Sequence, residues 1–178
     1  MITRINIPSS EAEHFDACWE LYESAFPPEE RREKVYHIET MARKEFHFDA
    51  IMDNDKLVGV IGWWNFEHII YVEHLATLPS MRNCGYGRKI LSALKQDRND
   101  KTILLEVEHP TYPIAQRRIG FYEREGFMLN WHTYIHPPYR GTDWVSLLIM
   151  TYPNAISNSE LETFKSECFP VIHFRHHY

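Results

Sequence analysis

The residues best placed to do chemistry sit at one junction, Arg82-x-x-Gly85-x-Gly87. Ahead of it runs Ile69-Ile70-Tyr71-Val72, a β-branched and aromatic stretch that reads as a strand and stops at Pro79, whose nitrogen cannot continue a ladder. Behind it, Ile90, Leu91 and Leu94 share one face at helical spacing. A glycine-containing loop between a strand and a helix start gathers backbone N–H groups, and Gly85 and Gly87 put no side chain in the way. Such a loop is suited to a phosphate or pyrophosphate. A plain βα turn, whose glycines merely allow tight packing, is the alternative reading. A dinucleotide-binding loop fits less well: Glu106 lies at a workable distance for a ribose, but Ile90 occupies the place of a third glycine and the Leu78–Gly85 loop is too long.

A second block, Arg118-Ile119-Gly120-Phe121-Tyr122-Glu123-Arg124-Glu125-Gly126-Phe127, follows after one strand, Thr102 to Val107. The two blocks in this order resemble the coenzyme A loop and the later Phe-Tyr helix of the GNAT superfamily of acyl-CoA-dependent N-acyltransferases. The resemblance runs from about Met1 to Tyr152. It implies a mixed, mostly antiparallel α/β sheet of about seven strands flanked by helices. It further implies acetyl-CoA as cosubstrate, no metal, and direct transfer of the acetyl group to the amine of a small-molecule or peptide acceptor. On this pattern the pyrophosphate rests on Arg82, Asn83, Cys84, Gly85, Tyr86 and Gly87, with Arg88 nearby. Backbone groups of Leu75, Ala76 and Thr77 hold the pantetheine arm and polarise the thioester. Tyr122 falls beside the cofactor sulfur, where its hydroxyl can protonate the leaving thiolate; a packed core tyrosine is the other reading.

Acyl transfer to an amine needs a group that takes a proton from the ammonium. Glu73 stands two residues before the Leu75-Ala76-Thr77 segment, and strand alternation puts Tyr71, Glu73 and Leu75 on one face and Val72, His74 and Ala76 on the other. Burial on an apolar strand is expected to raise its pKa toward the range of a useful base. Pairing with an arginine, or holding the acceptor ammonium, is the alternative role. Glu106 and Glu108 share a strand face and rank behind Glu73. Cys84 is read as a loop residue rather than a nucleophile, and His173, His176 and His177 as a solvated tail rather than a metal site. A non-catalytic acyl-CoA-binding regulatory domain of the same fold is the second function class; ionisable groups such as Glu73 and Tyr122 favour the enzyme.

The elements that must position these residues follow from pattern. Ile2, Ile5 and Ile7 form a first strand, and Ser9 or Ser10 with Glu13 resembles a capping box opening a helix from about Ser10 to Ala25. Pro27-Pro28 ends it, and Glu29 to Phe46 carries a second helix with Val35, Ile38 and Met41 on one stripe. Phe46 to Met52 and Lys56 to Asn65 make a hairpin turned at Asp53-Asn54-Asp55. Pro113 to Glu125 is a helix ended by Gly126. Phe127 to Ile135 and Trp144 to Thr151 are strands, and Ser157 to Cys168 a terminal helix.

At 178 residues the chain reads as one domain, 1–153, with a C-terminal helix and tail, 154–178. Its 19 basic against 25 acidic residues do not favour nucleic acid or an anionic membrane and suit a cationic acceptor. Three unspaced cysteines argue for a reducing compartment. With no signal pattern and no membrane-length apolar run, a cytoplasmic monomer or homodimer is expected.

Overall fold

The structure, a computed structural model, describes residues 2–141 and 143–174. Seven strands form one sheet: β1 (Ile2–Asn6), β2 (Phe46–Asp53), β3 (Lys56–Asn65), β4 (Ile69–Thr77), β5 (Thr102–Val107), β6 (Met128–His136) and β7 (Val145–Tyr152). Their order is β1-β2-β3-β4-β5-β7-β6. Every neighbouring pair is antiparallel except β4 with β5. That parallel pair needs a crossover, which α3 (Tyr86–Asp97) provides.

Helices cover both faces. On one, α1 (Phe15–Ala25) and α5 (Asn158–Ile172) bury Trp19, Tyr22, Leu161 and Phe164 against Phe48, Trp64, Tyr71 and Tyr134. On the other, α3 and α4 (Pro113–Arg124) bury Ile90, Leu91, Leu94 and Ile119 against Val72, Ile103 and Leu105. Ile90, Leu91 and Leu94 are fully buried, as their shared helical face predicts, each worth about 1.5–3 kcal/mol.

Several boundaries differ from the sequence pattern. Helix α1 begins at Phe15, because His14 adopts a left-handed conformation at its N-cap and no side chain caps it. The capping box instead forms at α5, where the Ser157 hydroxyl accepts from the Glu160 N–H and the Glu160 carboxylate from the Ser157 N–H. Helix α2 (Lys34–Met41) is shorter than expected and buries His37, Thr40 and Met41, leaving Val35 55 % exposed. Helix α5 continues past Cys168 to Ile172 with Pro170 inside it. This carries His173 into the core at 4 % exposure, packed on His136 and Phe169, rather than into a solvated tail. His176 and His177 lie outside the described residues.

Candidate active site

Strands β4 and β5 pair only from Ile69–Thr102 to Val72–Leu105. Beyond this point β4 keeps its pairing to β3 as far as Thr77, and β5 its pairing to β7 as far as Val107. The two halves of the sheet therefore diverge, and the β4 main chain from Glu73 onward faces a cleft rather than a neighbouring strand. Unpaired strand groups in a cleft are free to hydrogen-bond a ligand. Leu75, Ala76 and Thr77 occupy this stretch.

At the same point β4 carries a bulge. Val72 sits opposite Trp63 and His74 opposite Gly62, so Glu73 has no partner across the β3 ladder. The extra residue breaks the strict alternation expected from the sequence. Tyr71 and Ala76 join the α1/α5 core and Leu75 packs with Val72 on the α3/α4 side. Glu73 reaches Trp64 on the α1/α5 side, and His74 reaches Tyr22 and Phe26 there. Glu73 and Leu75 thus lie on opposite faces.

The Glu73 side chain is 0 % exposed and gathers four segments. Its Oε2 accepts from Arg32 Nη1 at 2.7 Å and from Trp64 Nε1 at 2.9 Å, and its Oε1 from the Tyr139 hydroxyl at 2.8 Å. Arg32 Nη2 also donates to the Ile172 carbonyl at the end of α5 (3.1 Å). Burial alone would raise the carboxyl pKa, as the sequence suggested. The Arg32 charge, with His74 and the hydrogen bonds, outweighs it and holds Glu73 well below the usual carboxylate range. Next to it, His74 donates from Nε2 to the Glu30 carbonyl (2.8 Å), and burial lowers its pKa to about 4.

Glu106 is one step beyond the last β4–β5 pair on the other side of the cleft apex. Its oxygens accept from the hydroxyls of Tyr71 (3.0 Å) and Tyr134, and His136 Nε2 stands 3.6 Å from Oε2. No lysine or arginine pairs with it among the described residues, and burial pushes its carboxyl pKa up. Glu108 is set apart: it lies past the end of β5, about half exposed, and bonds Arg118 on α4 at 3.0 Å. The two glutamates that share a face in the sequence therefore occupy different environments.

The loop ahead of α3 is a short turn, Pro79–Met81, followed by residues with left-handed backbone at Asn83 (φ 63°) and Gly85 (φ 79°). A Cβ on Gly85 would meet nothing within 4 Å, so its open side faces solvent. Gly87 serves packing instead: a Cβ there would stand 3.1 Å from the Phe121 ring of α4. The Arg82 and Cys84 N–H groups bond the Pro79 and Met81 carbonyls within the loop. The amides of Tyr86, Gly87 and Arg88, in the first turn of α3, precede the first intrahelical bond, from the Lys89 N–H to the Gly85 carbonyl. Asn83 Oδ1 accepts from Arg117, the Tyr86 hydroxyl donates to Asp53 (2.7 Å), and Arg88 lies 3.8 Å from Glu125. Cys84 is exposed, its thiol turned to the Arg82 carbonyl.

Tyr122 sits half-buried on α4 against Phe121 and Phe127, and burial raises its hydroxyl pKa. A groove of about 610 Å³ runs between β6 and α5, lined by Trp144 and Phe169. A pocket of about 270 Å³ opens beside Arg32, Tyr139 and His173, on the wall of the Glu73 cluster. Arg32, Tyr139 and His136 were not singled out by the sequence reading, because a buried arginine and a loop tyrosine carry no local pattern.

A seven-stranded mixed sheet that parts between two parallel strands, next to the start of α3, matches the acyl-CoA N-acyltransferase fold. Residues 15–127 match the sequence model of the Acetyltransferase (GNAT) family, and the chain belongs to that family. It is similar to a solved structure described as "Putative acetyltransferase from GNAT family from Bacteroides thetaiotaomicron", at 36 % identity and TM-score 0.88, covering 96 % of this chain and 97 % of that one. It is 30 % identical over 108 residues to "Putative acetyltransferase YjbC" of Bacillus subtilis (strain 168). That match covers 57 % of this chain and 52 % of YjbC, so the chain matches about half of the curated relative's length. The fold also matches Arabidopsis thaliana Naa50 in complex with the bisubstrate analogue CoA-Ac-MVNAL, at TM-score 0.60 and 19 % identity, covering 87 % of this chain and 99 % of that one.

Proposed function

We propose that this chain moves the acetyl group of acetyl-CoA directly to a primary amine of a small-molecule or peptide acceptor. The observation that carries this reading is the parting of β4 and β5 beside the first turn of α3. The CoA-containing bisubstrate analogue on Naa50 supports the same cosubstrate. The pyrophosphate rests on the free first-turn amides and Gly85, whose open side a Cβ would fill. The pantetheine arm runs along Leu75, Ala76 and Thr77, whose main chain holds and polarises the thioester. Tyr122 protonates the departing thiolate.

Glu73 takes a different part from the one its sequence position suggests. A carboxylate bound by a guanidinium, an indole N–H and a phenol, with its side chain fully buried, is a poor proton acceptor and a strong anchor. It ties the α1–α2 loop and the β6–β7 loop to β4, and so shapes the acceptor wall.

Incubation with acetyl-CoA and a panel of primary amines tests the reading, with free thiol and acetylated product both measured. Thiol release matched by acetylated amine is expected. Acetyl-CoA binding without transfer to any amine would favour a regulatory acyl-CoA-binding domain, and no binding would overturn both.

A further inference from the structure

The cleft apex holds two buried carboxylates in opposite circumstances. Glu73 and Glu106 each follow the last residue of their strand in the β4–β5 pairing, Val72 and Leu105. Glu73 is sealed from solvent and neutralised by Arg32; Glu106 keeps 12 % of its side chain exposed, accepts from two hydroxyls beside His136, and has no lysine or arginine paired with it among the described residues. Two carboxylates whose surroundings drive their proton affinities apart take different jobs, and the one that can change its protonation state is the proton carrier.

We propose that Glu106 is the base that takes the proton from the acceptor ammonium, with His136, whose Nε2 stands beside its carboxylate, as the positioning residue. The inference rests on the acetyl-transfer reading above. His136 is 4 % exposed, and its Nε2, 3.6 Å from Glu106 Oε2, has no hydrogen-bond partner among the described residues. A buried ring nitrogen left unpaired is costly unless another group approaches it, and a move of a few tenths of an ångström brings it into hydrogen-bond range of Glu106. Tyr71 from β4 and Tyr134 from β6 hold the carboxylate in place with their hydroxyls.

Glu106 takes one proton from the ammonium, and the freed amine attacks the thioester carbon. The C–N bond forms and the C–S bond breaks; the second nitrogen proton goes, by way of Tyr122, to the thiolate. The proton on Glu106 leaves to solvent from the exposed edge of its own carboxyl, 12 % of the side chain, so that the reaction releases one amide, one thiol and one proton.

The groups that face Glu106 are Tyr71 and Glu73 on β4, Tyr134 and His136 on β6, and Tyr139 on the β6–β7 loop. Glu73 raises its proton affinity, and a positive charge on His136 lowers it. The rate therefore rises with pH as Glu106 ionises, and removal of His136 moves that acidic limb to higher pH.

Carboxyl-labelled glutamate followed by ¹³C NMR, together with the pH profile of kcat/KM, tests this. In the parent, the signal lost in Glu106→Gln is expected to titrate above the usual glutamate range of about 4.3. In His136→Gln both that signal and the acidic limb are expected to move up by roughly one unit. Glu106→Gln is expected to lose roughly a hundred- to ten-thousand-fold in rate and its acidic limb, with acetyl-CoA binding intact, while Glu73→Gln keeps the limb. A Glu106→Gln rate like the parent's, or a limb unmoved in His136→Gln, overturns the assignment while leaving acetyl transfer standing. A parent that binds acetyl-CoA but acetylates no amine overturns the transfer reading and the base with it. If Glu106→Gln does not fold, the parent and His136→Gln titrations decide, and a Glu106 signal in the ordinary range refutes the proposal.

Discussion

Replacing Arg32 with methionine removes the guanidinium that neutralises Glu73. The carboxylate it leaves behind is 0 % exposed, so water cannot take over. The Trp64 and Tyr139 donors remain at 2.9 and 2.8 Å and retain part of the stabilisation. Breaking a buried pair on one side costs about 3–5 kcal/mol. In a chain of this size 1 kcal/mol corresponds to about 2–4 °C in Tm, so Arg32→Met is expected to melt about 6–20 °C below the parent. Replacing both partners by apolar residues removes the stranded charge, and the double variant Arg32→Met/Glu73→Met is expected to recover part of that loss. The pH sign follows from the depressed Glu73 pKa. Its contribution is present above the unfolded glutamate value and is lost as pH falls through the lower folded value, so the Arg32→Met deficit should shrink in acid. Thermal melts of the two single variants and the double variant at several pH values measure this. An Arg32→Met protein melting within 2 °C of the parent (about 1 kcal/mol or less), or a double variant as unstable as the two singles summed, would refute the reasoning.

The two loop glycines should separate binding from folding: Gly85→Val is expected to abolish acetyl-CoA binding by calorimetry. Because of its φ of 79° it also costs about 1 kcal/mol in stability, whereas Gly87→Val, pressed onto Phe121, should lower Tm more than affinity. Tyr122→Phe is expected to lower turnover roughly ten- to a thousand-fold with little change in Tm, and unchanged turnover would leave the ring as packing. His37 lies 1 % exposed among Trp19, Tyr22, Phe46 and Phe48, with neither ring nitrogen hydrogen-bonded among the described residues, and burial lowers its pKa to about 3. The folded state then binds fewer protons than the unfolded one between about 3 and the unfolded value near 6.5, so stability is full above 6.5 and falls as pH drops through that window. Denaturant melts of His37→Phe across this range should show a shallower decline than the parent.

Most of the scaffold was legible in the chain itself. Ile90, Leu91 and Leu94 mark the buried face of α3, Leu57 to Trp64 is apolar on both faces because its strand is interior, and Arg82 to Gly87 mark the loop that leads into α3. These are local signals, set by side-chain period and backbone freedom over a few residues. Local signals misled where a competing contact took over, as at the Ser9/Glu13 box displaced by a left-handed His14 and at Val35 turned outward while His37 was taken into an aromatic cage. The proton chemistry of the cleft lay beyond their reach. The bulge that puts Glu73 and His74 on one face arises from pairing with β3, and the Arg32 charge that keeps Glu73 ionised comes from 41 residues away in sequence. Tyr134 and His136 reach Glu106 from β6, two strands away across β7, a pairing no local pattern shows. A carboxylate's proton affinity depends on the charges and dipoles within a few ångströms of it, and the tertiary structure alone chooses those neighbours.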